Sequence, residues 1–418
     1  MVKENKKNIL IIGSSAKEHA LCLKLAQCDN IGEIFVAPGS DAIKEIATTV
    51  DIREENTEEL LKFVIENNIH LTIASSENSI KNEIADIFQA NGQLIFAPTA
   101  ESAKFTINKT FGKKFLYKLH IPTPRFGIFE KPQLALEYLK TTNFPVVIRS
   151  EEKINGKDRQ ACPTLSTAKV FTEDLFARDE QKVLIEEYLY GHEFTLYVIT
   201  DGYHALPLNV IANYKFMSEG DGGQLTSGVG AFAPDYKISN ETINHIMKNV
   251  VSNILTSLQR QEMPYLGILG VDCVLKADGQ YAVIEFKPFL QDHDCACVLD
   301  LLETDIFRLF EACAVGSFAD DYEIILNKEN TTISTIIYAQ TPNQIIQGLD
   351  QIEHSQVNHI NTKKNAYLEY ETIQGQVLTL TTSAATLKRA KKKLSEDIEI
   401  LEFAGKKYRK DIATISEN

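Results

Sequence analysis

Two apolar strands that run into carboxylates constrain this chain more than any other feature. The first, Val183–Phe194, reads VLIEEYLYGHEF. Val183-Leu184-Ile185 is a buried strand; Glu186 and Glu187 follow, then Tyr188, Leu189, Tyr190, Gly191 and a further acid, Glu193. An adenine is flat and apolar with hydrogen-bonding edges, so it suits a strand end that offers backbone groups beside Tyr188 and Leu189. A ribose diol suits a carboxylate such as Glu193. An edge strand ending at a glycine turn accounts for the same residues when they are taken alone. The second stretch, Tyr281-Ala-Val-Ile-Glu285-Phe-Lys287, is another apolar strand with an inward acid. Gly270-Val-Asp272-Cys-Val-Leu and a turn at Ala277-Asp278-Gly279 precede it, which predicts a hairpin.

A lysine-bearing element, an EE-x-x-x-G-x-E strand and a hairpin ending in an acidic strand, in that order, resemble the ATP-grasp superfamily. The resemblance implies two α+β lobes that hold Mg-ATP between them. At 418 residues the chain is too long for one ordinary core, so roughly two to four domains are expected. An apolar fraction of 44% and a charged fraction of 24% are those of a soluble globular protein. Neither a membrane span nor a signal-peptide pattern is evident, so no membrane partner and a cytoplasmic location are expected. Seven cysteines without framework spacing suggest reduced thiols. A net charge of −14 argues against a nucleic-acid surface, so any anionic ligand must be drawn in by local cations.

Along the chain, Asn8–Ile12 reads as a strand ending at Gly13-Ser14-Ser15, with a helix from Ala16 carrying Leu21, Leu23 and Leu25 inward. A strand, a small-residue turn and a helix begin a doubly wound domain whose helix N-terminus favours anions. Strands at Glu33–Ala37, Leu71–Ala74 and Leu94–Phe96 alternate with helices at Thr57–Glu66 and Ile80–Ala90. Phe111–Leu119 is a helix, Val146–Arg149 a strand, and Asn240–Arg260 an amphipathic helix with Ile243, Ile246, Val250, Ile254 and Leu258 on one face. The Gly-rich acidic segment Glu219–Gln224 is expected to be a mobile loop able to close over a substrate. Strands at Thr331–Tyr338, Tyr367–Thr372 and Gln376–Thr381 precede a helix at Ala384–Leu394. Its run Lys388-Arg389-Ala-Lys391-Lys392-Lys393 is read as a solvated face.

Several motifs make the resemblance specific. Gly13-Ser-Ser-Ala-Lys-Glu-His19-Ala-Leu, Val36-Ala-Pro-Gly39, Phe96-Ala-Pro-Thr-Ala100, Asn108-Lys109, Thr226-Ser-Gly228-Val-Gly230 and Tyr408-Arg409-Lys-Asp411 resemble the phosphoribosylamine–glycine ligase family. The resemblance implies an N-terminal doubly wound parallel α/β domain (residues 1–105), an ATP-grasp domain (106–318, with lobes at about 124–194 and 195–318) and a β-rich C-terminal domain (319–418). It also implies ATP-driven joining of glycine to 5-phosphoribosylamine by a monomer, with Mg²⁺ or Mn²⁺. Changed substrates, or a non-catalytic descendant, are the alternatives. By the same resemblance Glu186, Glu187 and Leu189 would hold adenine, Glu193 ribose, and Lys109, Arg149, Gly156 and Lys157 phosphates. Glu285 would take the metal; Asp272 departs from this family but stands where other ATP-grasp enzymes often carry a metal-binding acid, so it would either share the metal or be an acid satisfied by local hydrogen bonds. Lys215 and Asp292, with Thr226 and Gly228, would line the substrate side as the catalytic candidates.

The departures from the family pattern cluster at the chemistry. The flap K-A-D-G-L-A-A-G-K-G-V is replaced by Arg149-Ser-Glu-Glu-Lys-Ile-Asn-Gly156-Lys157-Asp-Arg159, which keeps only Gly156 and Lys157 in place. The asparagine expected as second metal ligand is Lys287, and the arginine expected two positions later is Phe289. An ammonium cannot ligate magnesium; at about 4 Å it would repel the ion by roughly 8 kcal/mol at an effective dielectric near 20. Lys287 is therefore expected either to pair with Glu285 in the metal's place or to point elsewhere and contact a phosphate itself. The family's G-P-E is Ser75-Ser76-Glu77, and Ser227 interrupts its paired glycines.

Overall fold

Alternating strands and helices in the first hundred residues build a parallel sheet. Its order is Thr48–Thr49, Ile31–Pro38, Lys7–Gly13, Leu71–Ala74, Ile95–Phe96. The structure, a computed structural model, describes residues 6–151, 158–178, 180–318 and 322–414. Helix Ala16–Leu25 begins where the sequence predicts, but it buries Leu21, Cys22 and Leu25 and leaves Leu23 half-buried. A spacing of two is a strand period; on a helix it turns Leu23 away from the face shared by the other three. The expected helix Ile80–Ala90 is two, Glu77–Lys81 and Ile84–Ala90, broken where Glu83 adopts a left-handed φ of 57°.

A four-stranded antiparallel sheet follows, ordered Phe126–Phe129, Val183–Glu187, Val146–Ser150, Arg159–Cys162. Helices Pro132–Thr141 and Leu165–Ala177 cover one face, burying Leu139, Phe171 and Leu175 against Ile148 and Ile185. The third sheet has nine strands. From one edge it runs Tyr281–Lys287, Leu266–Leu275, His192–Asp201, Ala205–Ser218, Gly222–Ala233, Thr331–Ala339, Gly375–Ala384, Ser355–His359, and Lys406–Lys407 pairs with Thr331–Ala339. The strands after residue 330 thus extend the same sheet, joined where Gly230 faces Thr335. The segment Asn240–Gln259 is helical throughout, with a π turn at Met247–Val251, and buries Ile246, Val250, Ile254 and Leu258 as the stripe predicts. The C-terminal helix is Leu387–Ile400; Ala384 instead ends the preceding strand.

The Gly-rich segment after Ser218 is a correction. Strands Ala205–Ser218 and Gly222–Ala233 continue almost into each other, so Glu219–Asp221 is a hairpin tip rather than a loop. Gly220 supplies the left-handed φ of 65° that the turn requires. The tip is tied down: the Gly220 N–H donates to Asp411 Oδ2 at 2.9 Å, and Arg409 Nη2 lies 2.8 Å from Asp221 Oδ1. Arg409 also donates to the Phe216 carbonyl at 3.1 Å and lies over the Tyr214 ring.

The parallel sheet and the nine-stranded sheet share one core. Ile9, Leu21, Leu25 and Phe96 pack with Cys297, Phe307 and Phe310 onto Tyr197, Ile199 and Ile211. The Phe96 and Phe310 rings stack 4.1 Å apart. At the far edge the His359 N–H donates to His19 Nδ1 at 3.2 Å, pinning the first helix to strand Ser355–His359.

Burial lowers His19 to about 4 and, with His19 beside it, His359 to about 3. Burial, then Lys287, lowers His293 to about 3. The folded protein therefore binds fewer protons here than the unfolded chain. The stability this gives is complete above the ordinary histidine value and is lost as pH falls towards the folded values. Burial raises Asp294 to about 6 and also raises Glu18, and both work the other way. Chemical denaturation at pH 7 and pH 5.5 should show a net loss of about 2 kcal/mol at the lower pH. Equal stabilities would mean that these histidines are not held neutral.

Candidate nucleotide and ligase site

The four-stranded and nine-stranded sheets face each other across a cluster of buried charges. Arg149, on strand Val146–Ser150, puts Nε 3.0 Å from Glu186 Oε2 on the neighbouring strand. Its Nη1 lies 2.7 Å from Glu285 Oε2 on the other sheet. Glu285 also receives Lys109 Nζ at 3.3 Å and Arg159 Nη1 at 3.3 Å. Glu186 receives Lys113 Nζ at 2.6 Å, and Lys113 further donates to Thr123 Oγ1 at 3.0 Å. Local structure explains the convergence. Lys109 and Lys113 stand one turn apart on helix Lys109–Lys118, whose start is capped by Asn108 Oδ1 accepting from Phe111 N at 2.7 Å. Arg149 and Arg159 are direct cross-strand partners. Burial alone would raise the Glu285 carboxyl, but Arg149, Lys109 and Arg159 outweigh it and hold it well below the usual range.

A second cluster lies beside the first. Asp272 is the ladder partner of Glu285 on the hairpin Leu266–Leu275/Tyr281–Lys287, so the predicted hairpin brings the two acids together. Asp272 is fully buried and lies 3.0 Å from Lys215 Nζ and 3.2 Å from Lys287 Nζ; the Thr195 hydroxyl also donates to it. Burial would raise it too, and the two lysines reverse this. Lys215 turns also to Glu193, 3.1 Å away. Lys287 therefore does not pair with Glu285 but points elsewhere. Glu285 already holds three cations, and from its place opposite Gly270 Lys287 reaches Asp272 diagonally across the ladder.

Of the nucleotide candidates, Arg149, Glu186, Glu187, Leu189 and Glu193 line one slot between the sheets, and Lys109 lies outside it. Pro124, Val147, Tyr188, Leu189, Val274 and Ile284 form its apolar walls, with Glu186, Glu193, Arg149 and Lys215 around them. Its free volume is only about 40 Å³, because Phe216 and Leu225 of the long hairpin pack on Val147. A wider cavity of about 230 Å³ opens beside Glu193 and Lys215 and is lined also by Tyr214, Asp221 and Lys237. Gly191 lets the hinge pass close to the sheet: a Cβ there would lie 2.3 Å from the Leu275 carbonyl oxygen. Glu187 is exposed, and its backbone N–H donates to the Arg125 carbonyl at 2.9 Å.

On the other side of Lys215, Thr226 Oγ1 donates to the Lys215 carbonyl at 2.8 Å and accepts from the Gly228 N–H at 3.1 Å. Asp292 stands further off, where Oδ1 accepts the Lys17 N–H at 3.0 Å in the first turn of the first helix. Gly156 and Lys157 lie outside the described residues. Lys113 and Arg159 are site residues that the sequence reading missed. The four-residue spacing from Lys109 would have found the first, and pairing Val146–Ser150 with the following strand would have found the second.

As arranged, Glu285 and Asp272 do not fit a divalent ion. Among the described residues five side-chain cations hold them, Lys109, Arg149 and Arg159 on Glu285 and Lys215 and Lys287 on Asp272, and the Thr195 hydroxyl takes a further place on Asp272. Among the described residues no group of three or more His, Cys, Asp or Glu could hold a metal.

The Lys113–Glu186 pair generates a stability prediction, since both side chains are almost fully buried. Lys113→Ala should cost about 3–5 kcal/mol in chemical denaturation by weakening the compensation of a buried carboxylate. Lys113→Met combined with Glu186→Gln should cost clearly less. A double variant as unstable as the single one would show that the charge pairing is not what matters.

Residues 7–106 match the family model for the phosphoribosylglycinamide synthetase N domain, and residues 107–295 the one for its ATP-grasp (A) domain. Phosphoribosylamine–glycine ligase of Caldanaerobacter subterraneus is 31% identical, the alignment covering 97% of this chain and 99% of the relative. The enzyme of the same name from Clostridium acetobutylicum is 31% identical with 97% and 99% coverage. Among solved structures, phosphoribosylamine–glycine ligase of Thermotoga maritima superposes with a TM-score of 0.82 at 22% identity, covering 97% of this chain and 100% of that one. The biotin carboxylase domain of Hydrogenobacter thermophilus 2-oxoglutarate carboxylase, solved with MgADP, gives a TM-score of 0.73 at 15% identity, covering 96% and 91%; this likeness is one of fold. The same order of domains, matched from end to end, shows that the chain belongs to the phosphoribosylglycinamide synthetase family.

Proposed function

We propose that this chain joins glycine to 5-phosphoribosylamine at the expense of ATP, a step of purine synthesis. One observation carries the reading: Glu186, Leu189 and Glu193 line a single slot walled by Arg149, Arg159 and Lys215. The full-length match to relatives named for this reaction supports it. In this reading adenine lies along Tyr188 and Leu189, and Glu193 accepts the ribose hydroxyls. A glycine carboxylate oxygen attacks the γ-phosphorus, the bond to ADP breaks, and a glycyl phosphate forms. The amine of phosphoribosylamine then attacks the acyl carbon, loses a proton, and phosphate leaves. Such a transfer needs positioning and neutralisation of charge more than a protein nucleophile. Lys109, Arg149 and Arg159 would provide this around the phosphates, and Lys215 with Asp292 on the substrate side. Side-chain cations hold both Glu285 and Asp272, the two acids that Mg²⁺ or Mn²⁺ would need.

The protein is taken to act as a monomer in the cytoplasm; all seven cysteines are unpaired, which suits a reducing medium. A second reading, a binding protein that has lost catalysis, draws support from the same ion pairs on Glu285 and Asp272. A coupled assay of ADP release separates the two. Release should require glycine and freshly generated phosphoribosylamine together; nucleotide binding without turnover would favour the second reading. Glu193→Ala, which removes the ribose acceptor, should weaken nucleotide binding by about 1–3 kcal/mol in calorimetric titration. Unchanged affinity would remove the hinge acid as an anchor.

A further inference from the structure

Lys287 and Asp272 are two separate departures from the family's pattern, and in space they are partners, 3.2 Å apart on adjacent strands. An acid has appeared where it compensates an ammonium that has replaced a neutral ligand. Lys287 is 6% exposed, and its Nζ makes no hydrogen bond of good geometry among the described residues, so its ammonium has bonding capacity left over. Among the described residues Lys109, Lys113, Arg149, Arg159, Lys215 and Lys287 together face Glu186, Glu193, Asp272, Glu285 and Asp158, six cations paired with five carboxylates. A divalent ion at Glu285 would have to displace three of these cations and sit near a fourth. A polyphosphate needs no such displacement, since it can share the guanidinium and ammonium protons with the carboxylates.

We infer that this site binds nucleoside polyphosphates through its side-chain cations with little dependence on a divalent metal, Lys287 standing in for the ion. The inference rests on the ATP-dependent ligase reading above, and it concerns how the phosphates are neutralised there. Isothermal titration of the full chain with ADP, and with a hydrolysis-resistant ATP analogue, should be done in excess Mg²⁺ and again in EDTA. Affinities within about threefold of each other are expected. A loss of tenfold or more in EDTA overturns the inference and leaves the ligase reading standing. Absence of binding in both media overturns the two together. The charge-paired variant Asp272→Asn with Lys287→Asn removes one charge of each sign. With the stand-in ammonium gone and Lys109, Arg149 and Arg159 still on Glu285, its nucleotide affinity in EDTA should fall at least tenfold below that of the parent. An affinity in EDTA equal to the parent's would show that Lys287 does not stand in for the ion.

Discussion

Arg149 pairs with two carboxylates that belong to different sheets, lying against Glu186 beside it and donating to Glu285 across the cleft. A guanidinium suits this task because its planar fork presents several donors at fixed angles and stays charged when buried. The rest of the cleft is arranged around that bridge. Lys113 answers the other oxygen of Glu186, while Lys109 and Arg159 crowd onto Glu285. Asp272, next along the ladder, is left to Lys215 and Lys287. Burying so many charges is costly unless each meets an opposite one. A single change at such a site leaves a buried charge unmatched, and Lys287 would be so without Asp272.

The apolar contact across the same cleft is slight by comparison. Phe216 and Leu225 meet Val147, with Ala161 and Tyr188 at the margin. So small a cluster can part without exposing either main core, whereas the ion pairs must find new partners when the lobes separate. A phosphate chain would offer such partners to the cations. In the proposed function, closure around a nucleotide would compete with closure around the protein's own carboxylates for the same donors.

Elements that depend on local periodicity were legible in the sequence. The stripe of Asn240–Arg260, the strand Leu71–Ala74 and the hairpin ending at Lys287 stand where apolar spacing and turn residues put them. Leu23 shows the limit of that method, since alternation was read onto a segment that is helical. The hairpin tip at Glu219–Asp221 was misread because glycines and acids describe a tight turn as well as a loop. At the site, acids on strands could be placed, as could cations within a known motif. Helix spacing and strand order can flag Lys113 and Arg159 but cannot pair them with Glu186 and Glu285, which lie on segments distant in sequence. The bond that Lys287 makes was hidden for the same reason.

The tie between the Gly220 N–H and Asp411 joins positions 191 residues apart. Sequence distance becomes delay when a chain is made from its N-terminus at roughly 5–20 residues per second. Both strands of the long hairpin leave the ribosome well before Arg409 and Asp411, so its tip is first formed without the contacts that later hold it. Thr331–Ala339, which flanks one side of that hairpin, also emerges late. The hairpin tip is thus among the last parts of the molecule to be set, although the charged residues of the cleft, Lys109 to Lys287, are all made before Arg409 and Asp411.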